Sequence, residues 1–445
     1  PAVRTPNLDR LAREGARFRH AYSATPTCTP ARACLLTGMN PWNHGMLGYS
    51  RVAGRYPVEM PRLLHAAGYF TMAAGKLHYS PQRNYHGYDL ALLDESGRSE
   101  SIDFRSDYRA WFYSQAPNLN PDAPGVGWND YKGKAYVLPE RLHPTRWTAD
   151  VAVNFIDSWQ RQQPFFLKVS FARPHSPYDP PQRWMDAYGS ANIPAPAVGA
   201  WASRNEARNT DRDDLWRGRL APGEIRTARQ AYYGSVSFVD EQIGRILEAL
   251  EKRGWLDNTL IVYTSDHGDM TGDHHLWRKS YAYEPSARVP MLMRGPGVPP
   301  GTVSGAPVEL RDILPTFLDA AGAPIPRQID GRSLRDAANG RPWREFIDLE
   351  HDICYAPENN WNALTDGKTK YIYHAFDGRE QLFDLTSDPL ERNEITSSAR
   401  LRPWRERLIA HLAPRGDFYV RNGALATRPE GRKHSPNYPA NAKAV

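Results

Sequence analysis

The sequence has no long hydrophobic run, and none of its apolar stretches approaches the roughly 20 residues that a membrane-spanning helix needs. This absence argues against a transmembrane helix, so we expect no membrane among the partners of the chain. Cysteine is scarce as well, because the 445 residues contain only Cys28, Cys34 and Cys354. Their spacing predicts no disulfide framework, which excludes a fold built around disulfide bonds.

A dense basic run with interleaved aromatic residues is also absent, as is any nucleic-acid-binding motif, so we expect no nucleic acid as a partner. Lys and Arg number 56 against 50 Asp and Glu, which gives a net charge of +6 and a pI near 9.1. A mildly basic surface suits an anionic substrate, although most of this charge belongs to ordinary solvated surface. With 40% hydrophobic residues, the chain can bury a large core, and its length predicts one large domain and a smaller one.

Apolar strand-like runs alternate with amphipathic helices over the first three quarters of the chain. Strands are predicted at 165–171, 259–264 and 289–293, and a long helix from about Glu224 to Arg253. This order predicts an α/β fold with a large central mixed, mostly parallel sheet flanked by helices. The charged segment 203–219 is predicted as a surface insertion, and the Pro/Gly-rich segment 296–307 as a connector.

After about residue 341 the pattern changes to short strands, followed by a helix at about 401–412. Asp366-Gly367 and Asp377-Gly378 are typical hairpin turns between strands. We therefore predict an α/β domain over residues 1–340 and a C-terminal α+β subdomain over residues 341–445. The subdomain would contain a four-stranded antiparallel sheet, with strands predicted at 346–349, 361–364, 370–373 and 381–385.

The segment that follows Cys28 has the signals of a helix start. Thr29 is a plausible N-cap, Pro30 suits the first helical position, and Gly38 is a natural stop. Position 28 would then lie at a helix N-terminus, where free N–H groups and the helix dipole favour bound anions.

The run from Cys28 to Gly38 reads Cys-x-Pro-x-Arg and closes on Thr-Gly. It resembles the signature of the type I, formylglycine-dependent sulfatases of the alkaline-phosphatase-like superfamily. The resemblance implies that Cys28 is oxidised to formylglycine, an aldehyde that acts as the nucleophile after hydration. It also implies a formylglycine-generating maturation enzyme as a partner. Arg32 would bind the hydrate or hold its loop.

Three further motifs resemble those of the same family and lie in the family's order. Gly75-Lys76-Leu77-His78 resembles its GK-x-H, which implies that Lys76 contacts the sulfate and the nucleophile, and that His78 orients the formylglycine hydrate or takes a proton from it. His175 lies in a match to PH-x-P and would face the leaving group as general acid. Lys279 ends a match to G-x-H-x-L-W-x-K and would hold the sulfate and its leaving oxygen.

Asp266 and His267 follow directly on the strand predicted to end at Thr264. An Asp at the carboxyl end of such a strand points into the crevice where α/β sheets bind ligands. The segment resembles the metal motif of the sulfatases, which implies that Asp266, His267 and the residue derived from Cys28 bind a divalent cation. Ca²⁺ is expected, with Mg²⁺ or Mn²⁺ as alternatives. The imidazole of His267, where Asn is commoner, suits Mn²⁺ or Zn²⁺ better than Ca²⁺ and leaves the identity of the metal open.

The resemblance runs from Thr5 to about Glu394 and implies hydrolysis of a sulfate monoester, either a sulfated carbohydrate or an aryl sulfate. Two alternatives stay open at this point. One is a phosphonate monoester or phosphodiester hydrolase of the same superfamily, against which the pair Lys76 and His78 argues. The other is a non-catalytic sulfate-binding relative. Loop aromatics that could stack on a substrate ring are Trp42, Tyr49, Tyr85, Trp111, Trp128 and Trp201.

In the family, a strand with two metal-binding acidic residues precedes the helix that Thr5 to Ala12 resembles. No counterpart precedes Thr5, so we expect the sequence to be truncated at its start, with a weakened metal site. A missing N-terminus that carried a signal peptide would imply a periplasmic or secreted protein, and otherwise the chain would be cytoplasmic.

Overall fold

The computed structural model of the chain describes residues 3–439. Within this range, the sheet predicted for the α/β part consists of two hydrogen-bonded groups. The strands are β1 (Ala16–Tyr22), β2 (Phe70–Gly75), β3 (Leu90–Leu93), β4 (Phe165–Ser170), β5 (Ile261–Thr264), β6 (Met291–Arg294) and β7 (Thr302–Glu309). Strands β2, β3 and β4 pair in parallel in the order β3-β2-β4. The second group has the order β5-β6-β1-β7, with β7 parallel to β1, and β6 antiparallel to β1 and β5. The predicted mixed, mostly parallel architecture is confirmed.

Helices flank these strands, and the longest of them agrees with the sequence prediction to within two residues at its start. It covers Pro222–Lys252, and Gly254 follows it with a φ of 67°. Its apolar face packs on a second helix, Pro144–Ser158, through Leu247 and Phe155. None of the described helices is long and apolar enough to cross a membrane. The helices are α1 (Pro6–Glu14), α2 (Cys28–Thr37), α3 (Pro41–His44), α4 (Met60–Ala66), α5 (Asp107–Gln115), α6 (Pro144–Ser158), α7 (Gln182–Ala187), α8 (Pro222–Lys252), α9 (Glu284–Ala287), α10 (Ile313–Ala320), α11 (Leu334–Ala338) and α12 (Ser398–Leu412).

The C-terminal sheet is antiparallel and four-stranded, as predicted, with the order β11-β10-β9-β8. Gly367 and Gly378 have left-handed φ angles of 83° and 79° at its two predicted turns. Trp361 and Phe383 of this sheet share a hydrophobic core with β1 and β6. The domain boundary at residue 340 stays a prediction, and residues 440–445 of the predicted subdomain lie outside the described range. The remaining strands are β8 (Ile347–His351), β9 (Trp361–Thr365), β10 (Thr369–His374), β11 (Arg379–Asp384), β12 (Val420–Arg421) and β13 (Ala424–Leu425).

Two predicted irregular segments are more ordered than the sequence suggests. The segment predicted as a connector contains most of β7, which pairs with β1 along its length. Pro307 lies in this strand, where the register of the pairing shifts between Phe18 and His20. Proline has no N–H to donate to the neighbouring strand, and it is tolerated where the pairing is irregular. The predicted surface insertion contains the fully buried Leu215, because this side chain completes the core beneath α8.

Candidate active site

Cys28 is the first residue of α2 and only 2% exposed. The N-cap is Thr27, so the sequence prediction of a cap at Thr29 and a first helical position at Pro30 is wrong by two residues. The backbone decides this, since the N–H of Ala31 already donates to the carbonyl of Thr27 at 3.0 Å. Gly38 ends the helix in the left-handed conformation, as predicted. Position 28 therefore lies at a helix N-terminus, where the dipole favours negative charge.

The thiol of Cys28 is surrounded by nitrogen atoms. Its Sγ lies 3.2 Å from Nε2 of His267. Burial alone would raise the pKa of Cys28, but the charges of Lys279, Lys76 and His267 together hold it well below its ordinary value. The pocket therefore stabilises negative charge at position 28. In a protein whose cysteine becomes formylglycine, Sγ marks where the reacting group attaches.

Arg32 lies one helical turn after Cys28 and connects three segments of the site. Its Nε donates to Oδ2 of Asp266 at 3.0 Å, and its Nη1 donates to the carbonyl of Lys76 at 2.7 Å. Burial would raise the pKa of Asp266, but His267 and Arg32 hold it far below the usual value for a carboxyl group. Arg32 therefore fixes the carboxylate in its charged form beside position 28.

Lys76 and His78 follow β2 directly and are 2% and 3% exposed. Burial lowers the pKa of Lys76 to about 8, and its Nζ lies 4.5 Å from the ring centroid of Trp128. Burial also lowers the pKa of His78 to about 4, so the ring is neutral near pH 7. Its Nδ1 is buried and has no hydrogen-bond partner among the described residues.

Glu95, which the sequence analysis did not single out, holds His78 in place. Its carboxylate accepts from the backbone N–H groups of Leu77 and His78 at 3.0 and 2.9 Å, and it pairs with Arg98. His78 has a left-handed φ of 60°, which is unfavourable for a residue with a side chain, so these bonds hold a strained backbone. A sequence signal existed, because Glu95 lies two residues after the end of β3, at the same sheet edge as Lys76.

His175 and Lys279 form the opposite side of the site. Nζ of Lys279 lies 2.6 Å from Nε2 of His175, and Nδ1 of His175 lies 2.9 Å from the carbonyl oxygen of Ser176. The indole of Trp128 stacks on the imidazole, with centroids 4.4 Å apart and an angle of 28° between the rings. Trp128 thus touches the side chains of both Lys76 and His175.

Cys28, Asp266 and His267 each offer one ligand atom, and these atoms lie within 4.8 Å of one another. Nδ1 of His267 lies 2.7 Å from the carbonyl oxygen of Gly268, to which it donates, so Nε2, which faces Sγ of Cys28, is the ring nitrogen placed to bind a metal. The donor set fits a divalent cation. A hard cation such as Ca²⁺ would need further oxygen ligands, since these residues supply one carboxylate.

Residues 1–323 match the sulfatase family, and residues 272–415 match the family described as N-sulphoglucosamine sulphohydrolase, C-terminal. The first match covers well over half of the 445 residues. The chain belongs to the sulfatase family.

An arylsulfatase of Clostridium perfringens is 37% identical over 446 residues, which cover 95% of this chain and 92% of that protein. A solved structure in complex with its substrate D-glucosamine-2-N,6-O-disulfate is similar with a TM-score of 0.73 at 26% identity, covering 93% and 92% of the two chains. A phosphonate monoester hydrolase of Agrobacterium radiobacter has a TM-score of 0.75 at 23% identity, with coverage of 96% and 95%. This last likeness shows a shared fold alone. The predicted family is confirmed, and the chain is a sulfatase, an enzyme that hydrolyses sulfate esters.

The structure of this sulfatase brings every predicted site residue into one pocket, although the residues come from five segments of the chain. Four of the six aromatics predicted in loops, by contrast, pack away from the pocket, and the prediction is wrong for Trp42 and Trp111, which lie in helices α3 and α5. The ring of Trp201, for example, stacks on that of Tyr283 with centroids 4.7 Å apart. The ring of Tyr49, by contrast, lies beside that of His78, with centroids 6.1 Å apart. The residues that the pocket unites are Cys28, Arg32, Lys76, His78, His175, Asp266, His267 and Lys279.

Proposed function

We propose that this sulfatase cleaves sulfate monoesters through a hydrated formylglycine at position 28, formed from Cys28 by a maturation enzyme and assisted by a divalent cation, with Ca²⁺ as the first candidate. The observation that carries the proposal is the position of Cys28, buried at a helix N-terminus with a thiol pKa held low by Lys279, Lys76 and His267. A nucleophile that must approach an anionic sulfate benefits from this concentration of positive charge. The cation would be held by Asp266, His267 and residue 28, and it would neutralise charge on the sulfate oxygens.

A hydrated aldehyde supplies one hydroxyl to attack sulfur and a second one, whose deprotonation expels sulfate and restores the aldehyde. His78 suits the role of the base for that second step. Its ring is neutral, since burial lowers its pKa to about 4, and it therefore has a lone pair for a proton. The bonds from Glu95 to the backbone of His78 hold this base in a fixed position.

Lys279 and His175 suit the stabilisation of the leaving oxygen. Negative charge develops on that oxygen as the S–O bond breaks, and a lysine ammonium stabilises it in the transition state more than in the ground state. In the substrate-free site, His175 accepts a hydrogen bond from Lys279, and this bond orients the ammonium group. The pair can then deliver a proton to the departing alcohol.

Trp128 suits contact with the alcohol part of the substrate. It borders the side chains of Lys76 and His175 and also lines an open surface depression of about 260 Å³, together with Asn129, Asp130, Arg212, Asp213 and Asp214. An indole face favours a flat or ring-shaped partner. We therefore propose an aryl sulfate or a sulfated sugar as the substrate class, in line with the arylsulfatase and the glucosamine disulfate complex among the similar proteins.

The decisive experiment compares a nitrophenyl sulfate with a phenylphosphonate monoester and a phosphodiester, using protein co-expressed with a maturation enzyme. We expect the highest kcat/KM on the sulfate and no turnover by Cys28→Ala. A higher kcat/KM on the phosphonate would favour the alternative hydrolase. Binding of sulfate esters without turnover of any substrate would favour a non-catalytic protein.

A further inference from the structure

The hydroxyl of Thr27 does not cap the helix that it precedes. An N-cap threonine commonly accepts from a backbone N–H of the first turn, but Thr27 makes no such bond to α2. Its Oγ1 lies 2.6 Å from Oγ of Ser280 and 2.8 Å from Nε2 of His351. All three side chains are fully buried, so no solvent competes for these bonds.

The direction of each hydrogen bond follows from the histidine. Nδ1 of His351 lies 3.1 Å from the carbonyl oxygen of Asn359, which can only accept, so Nδ1 carries the proton. Burial lowers the pKa of His351 to about 4, which keeps the ring neutral and leaves Nε2 as an acceptor. Thr27 therefore donates to His351, and it accepts from Ser280 because its single proton is already used.

The backbone of Ser280 is fixed by contacts with neighbouring segments. Its φ of 82° lies in the left-handed region, so surrounding contacts must maintain it. Its N–H donates to the carbonyl of Pro26 at 2.9 Å, and the indole N–H of Trp361 donates to its carbonyl at 3.0 Å. The bond to Pro26 joins the segment before Cys28 to the segment that contains Lys279. Each segment is also bonded to a side chain of the C-terminal sheet, the first to His351 and the second to Trp361.

We propose that Thr27, Ser280 and His351 are positioning residues for the sulfatase reaction. Thr27 directly precedes Cys28 and Ser280 directly follows Lys279, so the three side chains set the distance between the nucleophile and the lysine. The C-terminal sheet thereby takes part in catalysis through His351. The inference rests on the proposed roles of residue 28 and Lys279. Since Lys279 acts on charge that develops in the transition state, misplacement lowers kcat more than it raises KM.

The test uses Thr27→Val, which keeps the shape of the side chain and removes the hydroxyl. The kcat and KM are measured on aryl sulfates with leaving groups of increasing basicity, and kcat is divided by the aldehyde fraction at residue 28 found by mass spectrometry. We expect kcat to fall by about 10²-fold on the most basic leaving group and much less on a nitrophenol. Thr27→Ser, which restores the hydroxyl, should recover most of the loss.

Thr25→Val is the matched control, because the hydroxyl of Thr25 is equally buried in the same loop and has no partner among the described residues. It should keep the wild-type dependence on the leaving group. Ser280→Ala is a second variant, away from the segment around Cys28, and should behave like Thr27→Val. An unchanged leaving-group dependence in both variants, with wild-type turnover intact, overturns the inference alone. A matured wild-type protein without turnover overturns the proposed function, and this inference with it.

Discussion

The ammonium nitrogen of Lys279 lies 2.6 Å from Nε2 of His175, and the second ring nitrogen of His175 sets the direction of this hydrogen bond. Nδ1 of His175 donates to the carbonyl of Ser176, so Nε2 is the acceptor and Lys279 the donor. Burial and the charge of Lys279 hold the pKa of His175 well below its usual value. We therefore expect the proton for a leaving oxygen to come from Lys279, with His175 orienting it, rather than from His175 as the sequence analysis predicts.

Removing either member of this pair should slow hydrolysis most for poor leaving groups. For Lys279→Ala and His175→Ala, we expect kcat to fall by about 10²–10⁴-fold on an alkyl or sugar sulfate, which needs a proton or a cation on its leaving oxygen. A nitrophenol leaves as a stable anion, so its sulfate should lose much less. Steady-state kinetics on both substrate types measures the difference. An equal loss on both would contradict a role at the leaving oxygen.

Asp266 and His267 should control the metal site in different ways. Asp266→Asn removes the carboxylate, and we expect both the affinity for divalent cations and kcat to fall steeply. His267→Asn replaces imidazole by an amide oxygen donor, which should shift the preference from Mn²⁺ towards Ca²⁺. Calorimetric titrations with Ca²⁺, Mg²⁺ and Mn²⁺ measure both effects.

Asp257→Asn serves as the control for the metal titrations, because this carboxylate is exposed and pairs with Arg294 away from the site. Its metal affinity should equal that of the wild type. Unchanged affinity in Asp266→Asn would mean that other groups hold the cation.

Trp128 should affect the binding of the substrate alcohol. Trp128→Ala removes the ring that touches Lys76 and His175, and we expect KM for aryl and sugar sulfates to rise about tenfold, the equivalent of one aromatic contact. Trp128→Phe keeps an aromatic face and should retain most of the affinity. A short alkyl sulfate offers no ring to the indole, so its KM should change little. The same rise for all three substrates would argue against a contact with the alcohol.

The sequence predicts which residues meet in the pocket better than the contacts that hold them there. Asp266 and Lys76 lie at the ends of strands, and the carboxyl ends of neighbouring strands meet at one sheet edge, so short segments sufficed to place them. Glu95 and His351 act on residues 17 and 324 positions away, respectively. No local pattern marks such pairs, because they form only when distant segments pack.

The predicted helix and strand boundaries are wrong where local preference and tertiary contacts disagree. Thr29 and Pro30 have the right types for a helix start, but the hydroxyl of Thr27 is bonded to His351 and the helix begins two residues earlier. The residues of β7 include Gly and Pro, which local rules assign to a loop, whereas pairing with β1 makes them a strand.

Acid should destabilise the protein through histidines that stay neutral in the folded state. Burial lowers the pKa of His44 and His374 to about 3 in the folded state, against about 6.5 for an unfolded chain. Their contribution is complete above pH 6.5 and is lost as the pH falls towards 3, because unfolding then takes up protons. His374→Gln should lower the slope of unfolding free energy against pH by up to about 1.4 kcal/mol per pH unit between pH 6 and 4.

Urea unfolding at several pH values measures that slope. His65→Gln provides the control, since the His65 side chain is 59% exposed and its pair with Asp89 lies at the surface. A slope that stays the same in His374→Gln would contradict the neutral state of His374 in the folded protein.

We expect turnover to depend on an aldehyde at position 28, which mass spectrometry of the peptide containing Cys28 detects. Protein is prepared with and without a co-expressed maturation enzyme, so that the fraction of formylglycine varies. We predict that kcat per molecule rises in proportion to this fraction and vanishes in Cys28→Ala. Full activity in protein that carries only the unmodified thiol at residue 28 would contradict the account.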